Sequence, residues 1–311
     1  MKKKILITGS SGYIGSCLSS NLSKNYEVFN LDKKLEKKKN FVKINLLDKK
    51  KLLFALSYIK PTVIVHLAGE SLVDEKKKNS AYYKNNVIAT RNLIDCMKKN
   101  NIQNIIFSST AAVYSEKSSP LTEKCKLNAN SKYGKSKILC EKLIQKSKLN
   151  YIILRFFNVS GCLRNPLIGE WHKPETHLIP LAIMKSLSKK KFKIYGNNYK
   201  TKDGTCVRDY IHIKDICSFI VKSINHLEKK KKSDIVNLGS GKKYSVLQIL
   251  NKIKKMNDLK FIFSSKRKGD LPILTTSIDK AKNNYNWYPK NSNINNIIKD
   301  QFIWLKKKLR K

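Results

Sequence analysis

The segment ILITGSSGYIGS, Ile5 to Ser16, constrains this chain more than any other. Three apolar residues run into glycines at Gly9, Gly12 and Gly15. The apolar stretch is too short for an export signal, and glycines and polar residues interrupt it. It reads instead as a short buried strand, a tight turn, and a helix starting near Tyr13. One glycine permits the turn, another lets backbone approach a diphosphate, and the third lets the helix pack on the strand. The helix N-terminus, with Tyr13 and Ile14, offers N–H groups and partial positive charge to phosphates. The next apolar strand, YEVFNLD, ends in Asp32, 17 positions beyond Gly15. That is close to the roughly 20 expected for a carboxylate that binds the adenosine ribose hydroxyls. A nicotinamide dinucleotide is therefore expected. Lys33 raises NADP as an alternative, but Asp32 would repel a 2′-phosphate, which favours NAD.

The 311 residues suffice for one large or two ordinary domains. A hydrophobic content of 41% excludes wholesale disorder. No apolar run is long enough to cross a bilayer, so no membrane partner is expected. Seven cysteines are scattered, odd in number and without C-x-x-C spacing. That pattern predicts neither disulfides nor a metal site, and a reducing cytoplasm. The net charge of +43 invites a nucleic-acid partner. However, arginine supplies only six of the 65 basic residues, and the lysines are spread in short runs. No basic stripe interleaved with aromatics is present, as a strand-binding platform needs, so no nucleic-acid partner is expected.

Short runs rich in Val, Ile and Phe at 62–69, 103–110 and 151–158 alternate with segments of helical spacing. Near-continuous apolar strands between helices imply a parallel sheet covered on both faces. The second half carries most of the prolines, a loop-rich stretch from Gly161 to Thr176, and an amphipathic helix near Ile294 to Leu309. The expected class is α/β: a Rossmann-type doubly wound parallel sheet with a smaller mixed α/β substrate-binding domain. The expected division is 1–158 plus about 207–238 for NAD, and about 159–206 plus 239–311 for the substrate.

Tyr133 and Lys137 in NSKYGKSKILCEKL lie four residues apart and share one helix face. A phenol with a pKa near 10 is a poor base at neutral pH. A nearby ammonium, together with a positive nicotinamide ring, would lower that value and suit the pair to removing a hydroxyl proton. The run FSSTAAVY ends a strand in Ser108, Ser109 and Thr110, placing hydroxyls at the carboxyl edge of the sheet, where α/β proteins bind ligands.

With the glycine turn, the runs FSSTAAVY, YGKSK, RFFN, DGTCVRDYIH, VNLGSG and RKGDLP resemble the extended short-chain dehydrogenases/reductases over nearly the whole length. Within that family they are most similar to the 4-epimerases of UDP-hexoses. The resemblance implies that Tyr133 is the base, Lys137 its partner on the nicotinamide ribose, and Thr110 the hydroxyl helper. It places Asn45, Leu46, Leu67, Ala68, Gly69, Ser108 and Phe157 around NAD. For the nucleotide sugar it implies Asn158, His177, Leu178, Tyr195 beside the uracil, Asp270 on a ribose, and Leu274. Arg208 and Arg267 would clamp the pyrophosphate, where a planar fork does what lysine cannot.

Related dehydratases follow the threonine with Asp-Glu, an acid and a base; here Ala111 and Ala112 follow, and neither can transfer a proton. The implied reaction is interconversion of UDP-glucose and UDP-galactose. The alternatives are a 4-epimerase of another UDP-sugar (N-acetylhexosamine, pentose or uronate) and, from another class, a non-catalytic NAD-sensing protein on the same fold. A homodimer is implied, paired through the helices containing Tyr83 to Lys98 and Lys132 to Lys148, whose apolar residues could equally cover the sheet. Four features depart from the family pattern. Only residues 33–44 separate Asp32 from Asn45, so a helix there is missing or very short. Ser71 stands where a lysine is usual, and His177 where many members have asparagine. Leu274 stands where members restricted to glucose and galactose carry tyrosine, which leaves room for a 2-acetamido group.

Overall fold

The structure is a computed structural model that describes residues 2–71, 78–114, 120–267 and 269–310. The chain divides into two compact units, residues 1–114, 126–155 and 217–236 in the first and 115–125, 156–216 and 237–311 in the second.

The first unit is built on strands β1 (Lys4–Thr8), β2 (Glu27–Asp32), β3 (Phe41–Lys43), β4 (Val63–His66), β5 (Asn104–Thr110) and β6 (Asn150–Phe156). With the strand Asp234–Leu238 they form one seven-stranded sheet, in the order Asp234–Leu238, β6, β5, β4, β1, β2, β3. β1 lies parallel to both neighbours, Leu6 facing Phe29 of β2 and Ile64 of β4. Ile5, Leu6 and Ile7 are all fully buried, as a strand covered on both faces requires. Strand order reverses its direction of growth at β1, so the carboxyl ends of β1 and β4 border the switch point where such sheets bind ligands.

The helices flanking this sheet are α1 (Tyr13–Leu22), α2 (Lys49–Ile59), α3 (Asn79–Tyr82), α4 (Ala89–Lys99) and α5 (Lys132–Gln145). The expected start at Tyr13 is observed. Leu31, Leu56, Ile64, Leu93, Ile105 and Ile153 belong to the core that these elements bury. Val87, Leu93 and Met97 also belong to it, so those apolar residues cover the sheet. Between α3 and α4 the helix widens into π-turns over Tyr83–Ile88, a device that appears mostly at functional sites. No helix forms between β2 and β3. Residues 33–40 turn back directly, with Asn40 at φ 51, which accounts for the short spacing before Asn45.

The second unit contains α6 (Leu178–Leu187), the start of α7 (Ile213–Lys230), α8 (Val246–Met256), α9 (Asp279–Tyr285) and α10 (Ile294–Leu309). The last helix has the bounds read from its sequence periodicity. Short strands pair around them: Phe192–Tyr195 with Phe261–Ser264, Asn158–Ser160 with Tyr210–His212, and Val207–Arg208 between Tyr244–Ser245 and Ile273–Leu274. Ile183, Ile194, Ile249, Leu250, Ile297 and Leu305 are in the core of this unit. Asp300 is buried within it and accepts from Arg164 Nε at 2.8 Å and His212 Nε2 at 3.2 Å. Burial alone would raise its carboxyl, but these donors hold it at about 2.

Candidate active site

In the first unit the carboxyl edge of the sheet gathers the groups expected around the cofactor. Gly9 sits at φ +72, and a Cβ there would lie 2.6 Å from the Ala68 nitrogen, so only glycine allows the β1 and β4 turns to meet. A Cβ on Gly15 would lie 2.2 Å from the Gly9 oxygen, which ties α1 to the same turn. Asp32 closes the turn from β2, its Oδ2 accepting the Ser11 N–H at 3.1 Å. Ala68 donates its N–H to Thr8 Oγ1 at 3.3 Å, and Leu67 donates to the Thr8 carbonyl at 3.1 Å. The side-chain oxygens of Ser10 and Ser11 are buried with no partner among the described residues. Unpaired polar atoms beside a helix N-terminus, around glycines that admit no side chain, fit a dinucleotide diphosphate. Gly12 and Gly69 are exposed, while Tyr13, Ile14, Leu67 and Ala68 are half-buried. Asn45 is exposed and accepts the Leu47 N–H at 3.1 Å; Leu46 beside it is buried. Phe157 belongs to the second unit, where it is buried and donates its N–H to the Leu238 carbonyl at 2.9 Å.

The reacting groups are brought together by β5 and α5. Thr110 ends β5 and starts a 3₁₀ turn over Ala111–Val113. Its hydroxyl is near enough to the Tyr133 phenol to pull that phenol's pKa down. Lys137, one turn along α5 and buried, donates to the Ser108 carbonyl at 2.9 Å and lies 6.0 Å from the centre of the Tyr133 ring. Burial pushes the Tyr133 phenol up to about 12, against the smaller downward pull of Thr110. Burial also lowers the Lys137 pKa. The lysine and the nicotinamide ring were expected to lower the phenol's pKa together; in the chain by itself burial sets the value.

Three residues here were given no role in the sequence analysis. A Cβ at position 134 would lie 2.3 Å from the Ala112 oxygen, so Gly134 is what lets α5 press Tyr133 against the end of β5. Asn86, in the π-turns, accepts the Glu70 N–H at 2.7 Å and donates to Ser136 Oγ at 2.8 Å, tying the β4 loop to α5. Its only sequence signal was paired asparagines inside a helical run. Lys38 donates to the Ser10 carbonyl at 2.8 Å and Ser16 Oγ at 3.1 Å, beside the glycine turn. It was hidden among neighbouring lysines.

Beneath these groups, Glu141 on α5 accepts from Arg155 on β6 twice, Nε at 3.0 Å and Nη2 at 2.7 Å. It also accepts from the Ser109 hydroxyl at 2.5 Å, and Arg155 Nη1 donates to the Tyr114 phenol at 2.7 Å. Both charged side chains are essentially buried.

The second unit holds the residues expected to grip a nucleotide sugar. Arg208 is anchored through Nη1 to the carbonyls of Val207 and Leu271 at 2.9 and 2.8 Å, and its Nη2 lies 3.7 Å from Asp270. Leu274 pairs with Arg208 in register and is half-buried. The exposed Arg267 stacks its guanidinium 3.9 Å from the centre of the Tyr195 ring. Asn158 is exposed and donates through Nδ2 to the Asp209 carbonyl at 2.7 Å. His177 caps α6 ahead of Leu178.

Such a sheet, with a half-buried tyrosine and a buried lysine paired at its carboxyl edge, defines a nicotinamide-dependent enzyme of the short-chain dehydrogenase/reductase class. Residues 5–239 match the NAD-dependent epimerase/dehydratase family, and the chain belongs to that family. It is 36% identical to a UDP-glucose 4-epimerase of Lactobacillus helveticus, covering 97% of each chain. It is similar to the crystal structure of a Brucella ovis UDP-glucose 4-epimerase in complex with NAD, with TM-score 0.92, 30% identity, and 97% of this chain and 98% of that one covered. It is also similar to a UDP-Glc/GlcNAc 4-epimerase of Campylobacter jejuni, with TM-score 0.84, 31% identity and coverage of 98% and 99%.

The proton balance at Tyr133 is measurable. In protein stripped of cofactor, a phenol raised to about 12 keeps its proton past the ordinary value of 10.0. The difference in phenolate absorbance between wild type and Tyr133→Phe is expected to stay flat through pH 10, and to move to lower pH when NAD is restored. A midpoint at or below the ordinary value in the stripped protein would show that burial does not control this phenol.

Proposed function

We propose that this chain is a UDP-sugar 4-epimerase that interconverts UDP-glucose and UDP-galactose with tightly held NAD. The observation that carries the reading is the meeting of Thr110, Tyr133 and Lys137 at one sheet edge, followed by Ala111 and Ala112. A dehydratase needs a further acid and base, and the residues after Thr110 supply neither. The names of its relatives agree.

The glycine turn and Asp32 hold the dinucleotide, and Lys38 adds positive charge beside its diphosphate. When bound, NAD supplies a two-electron acceptor that is restored within each turnover. Tyr133 takes the proton of the sugar 4-hydroxyl while Thr110 hydrogen-bonds the same oxygen. Lys137 holds the nicotinamide ribose and adds positive charge near the phenolate. Burial keeps the phenol protonated in the bare chain, and the positive ring of oxidised NAD, when bound, would favour its phenolate. Oxidation at C4 leaves a keto sugar, which turns about its phosphate linkage and is reduced on its other face, with Tyr133 returning the proton. Arg208 and Arg267 keep the pyrophosphate fixed during that turn, with Asp270, Asn158, His177 and Leu178 around the nucleotide sugar and Tyr195 beside the uracil.

The purified chain is expected to convert UDP-galactose to UDP-glucose without added reductant in a coupled assay. Tyr133→Phe is expected to lower turnover by about a hundredfold or more. NAD binding without turnover of any UDP-sugar would instead indicate the NAD-sensing protein.

Leu274 favours a broader substrate range. It lies beside Arg208 in the strand pairing, and leucine is shorter than tyrosine and lacks its hydroxyl. UDP-N-acetylglucosamine is expected to be a weak second substrate, and Leu274→Tyr to cut its turnover much more than that of UDP-glucose. Equal losses on both would remove Leu274 as the selectivity wall.

We place the protein in the cytoplasm: all seven cysteines are free, and among the described residues no helix is long and apolar enough to cross a membrane. We also propose a homodimer through the faces that leave Tyr83 and Leu139 exposed. Light scattering at micromolar concentration is expected to give twice the chain mass, and the chain mass itself would exclude the dimer.

A further inference from the structure

The segment Glu170–His177 of the second unit folds four potential ligands onto one point. The Glu170 and Glu175 carboxylates and the His172 and His177 imidazoles each offer one atom, and the four atoms lie within 4.8 Å of one another. His177 Nδ1 is 2.5 Å from Glu170 Oε1, and His172 Nδ1 is 3.3 Å from Glu175 Oε2. The remaining edges are 3.9 Å from His172 Nδ1 to Glu170 Oε1 and 4.0 Å from His177 Nδ1 to Glu175 Oε1. The sequence analysis sought cysteine spacing and expected no metal. This set contains no cysteine and spans only eight residues.

The segment is built rather than incidental. The Glu170 carbonyl accepts from Gln301 Nε2 and Trp304 Nε1 of α10, both at 3.0 Å, and its Oε2 accepts from the Ser160 hydroxyl at 2.8 Å. Glu175 Oε1 accepts the N–H groups of Thr176 and His177, both at 2.9 Å, and Oε2 accepts the His172 N–H at 3.1 Å. The two carboxylate side chains are only 1% and 2% exposed. Buried carboxylates need a positive partner. The chain has 65 lysines and arginines, yet among the described residues the ion-pair partners of Glu170 and Glu175 are these two histidines alone. Neutral imidazoles cannot balance two carboxylates. A divalent cation can, and it uses all four ligands together.

We propose that Glu170, His172, Glu175 and His177 bind one zinc ion that clasps this segment at the head of α6. Two imidazole nitrogens and two carboxylate oxygens suit four-coordinate zinc, whereas magnesium and calcium prefer six or more oxygens. Tetrahedral zinc at ordinary bond lengths separates its donors by about 3.3 Å, within the range of the edges measured here. The clasp takes no part in the proton and hydride transfers assigned above, but it fixes His177 and Leu178, which open α6 and are expected around the nucleotide sugar.

The test uses full-length protein without a histidine tag, grown with zinc. Elemental analysis is expected to find about one zinc per chain, and chelator to lower Tm by about 5 °C or more, reversed by micromolar zinc. Cobalt in place of zinc is expected to give the visible bands of a four-coordinate site, without the near-ultraviolet band of a thiolate ligand. His172→Ala, at a partly exposed position, is expected to lose the metal, the zinc-dependent rise in Tm and the cobalt bands. Cys125→Ser, which changes the least buried cysteine, is expected to keep all three. Less than about one zinc in ten chains with Tm insensitive to zinc would overturn the proposal and leave the imidazoles as the cations of the cluster. Zinc retained in His172→Ala, or a thiolate band, would overturn it equally.

Discussion

Two backbones touching at the switch point set the terms for the first unit. The turn after β1 and the turn after β4 approach so closely that a single carbon on Gly9 would collide with Ala68. Such contact removes side chains from the carboxyl edge and leaves N–H groups and two buried, unpaired serine hydroxyls beside it, as a diphosphate site requires. The same closeness gives Gly15 its role, because α1 must start against the Gly9 carbonyl for its N-terminus to face that edge. Asp32 then needs no helix to follow it. Its carboxylate is held by the turn itself through the Ser11 N–H, which is why the short segment 33–40 is tolerated.

A second constraint acts through α5, which carries both Tyr133 and Lys137. Nothing on the helix surface would hold those two side chains against β5 to within an ångström. Three contacts do so from different directions. Gly134 lets the helix approach Ala112, Lys137 grips the Ser108 carbonyl, and Glu141 is forked by Arg155 from β6 while accepting from Ser109. The buried ion pair costs desolvation, yet removing one partner would strand a charge, so the pair works as a register device more than as a source of stability. The same burial raises the phenol's pKa and lowers the ammonium's, so it disfavours the charged form of each.

How much was legible follows from what each feature asks of the sequence. Strands β1, β4 and β5 were visible because a strand buried on both faces must be a continuous apolar run. The helix Ile294–Leu309 was visible because its buried face recurs at helical spacing. Tyr133, Lys137 and Thr110 were legible from spacing and the strand end. Asn86 and Lys38 were not. The first sits in π-turns, which no periodicity marks, and the second is one of several adjacent lysines of which only the fold selects one. The raised phenol of the chain by itself was not legible, because sequence shows which charges are near, while the value depends on how much water is removed.

The lysine-rich composition makes the remaining arginines informative. Lysine offers one compact ammonium; arginine offers a planar fork that spans two acceptors or lies flat on a ring. Arg91 and Arg310 are exposed, with no such geometry among the described residues. The other four each use it. Arg155 forks Glu141, Arg164 brings two nitrogens to one oxygen of Asp300, Arg208 spans two carbonyls through one nitrogen, and Arg267 lies over Tyr195. Lysine at these four positions would keep the charge but lose the planar fork. The four arginines therefore mark where the fold or the ligand demands direction, and Arg208 and Arg267 stand on the two motifs expected to meet a pyrophosphate.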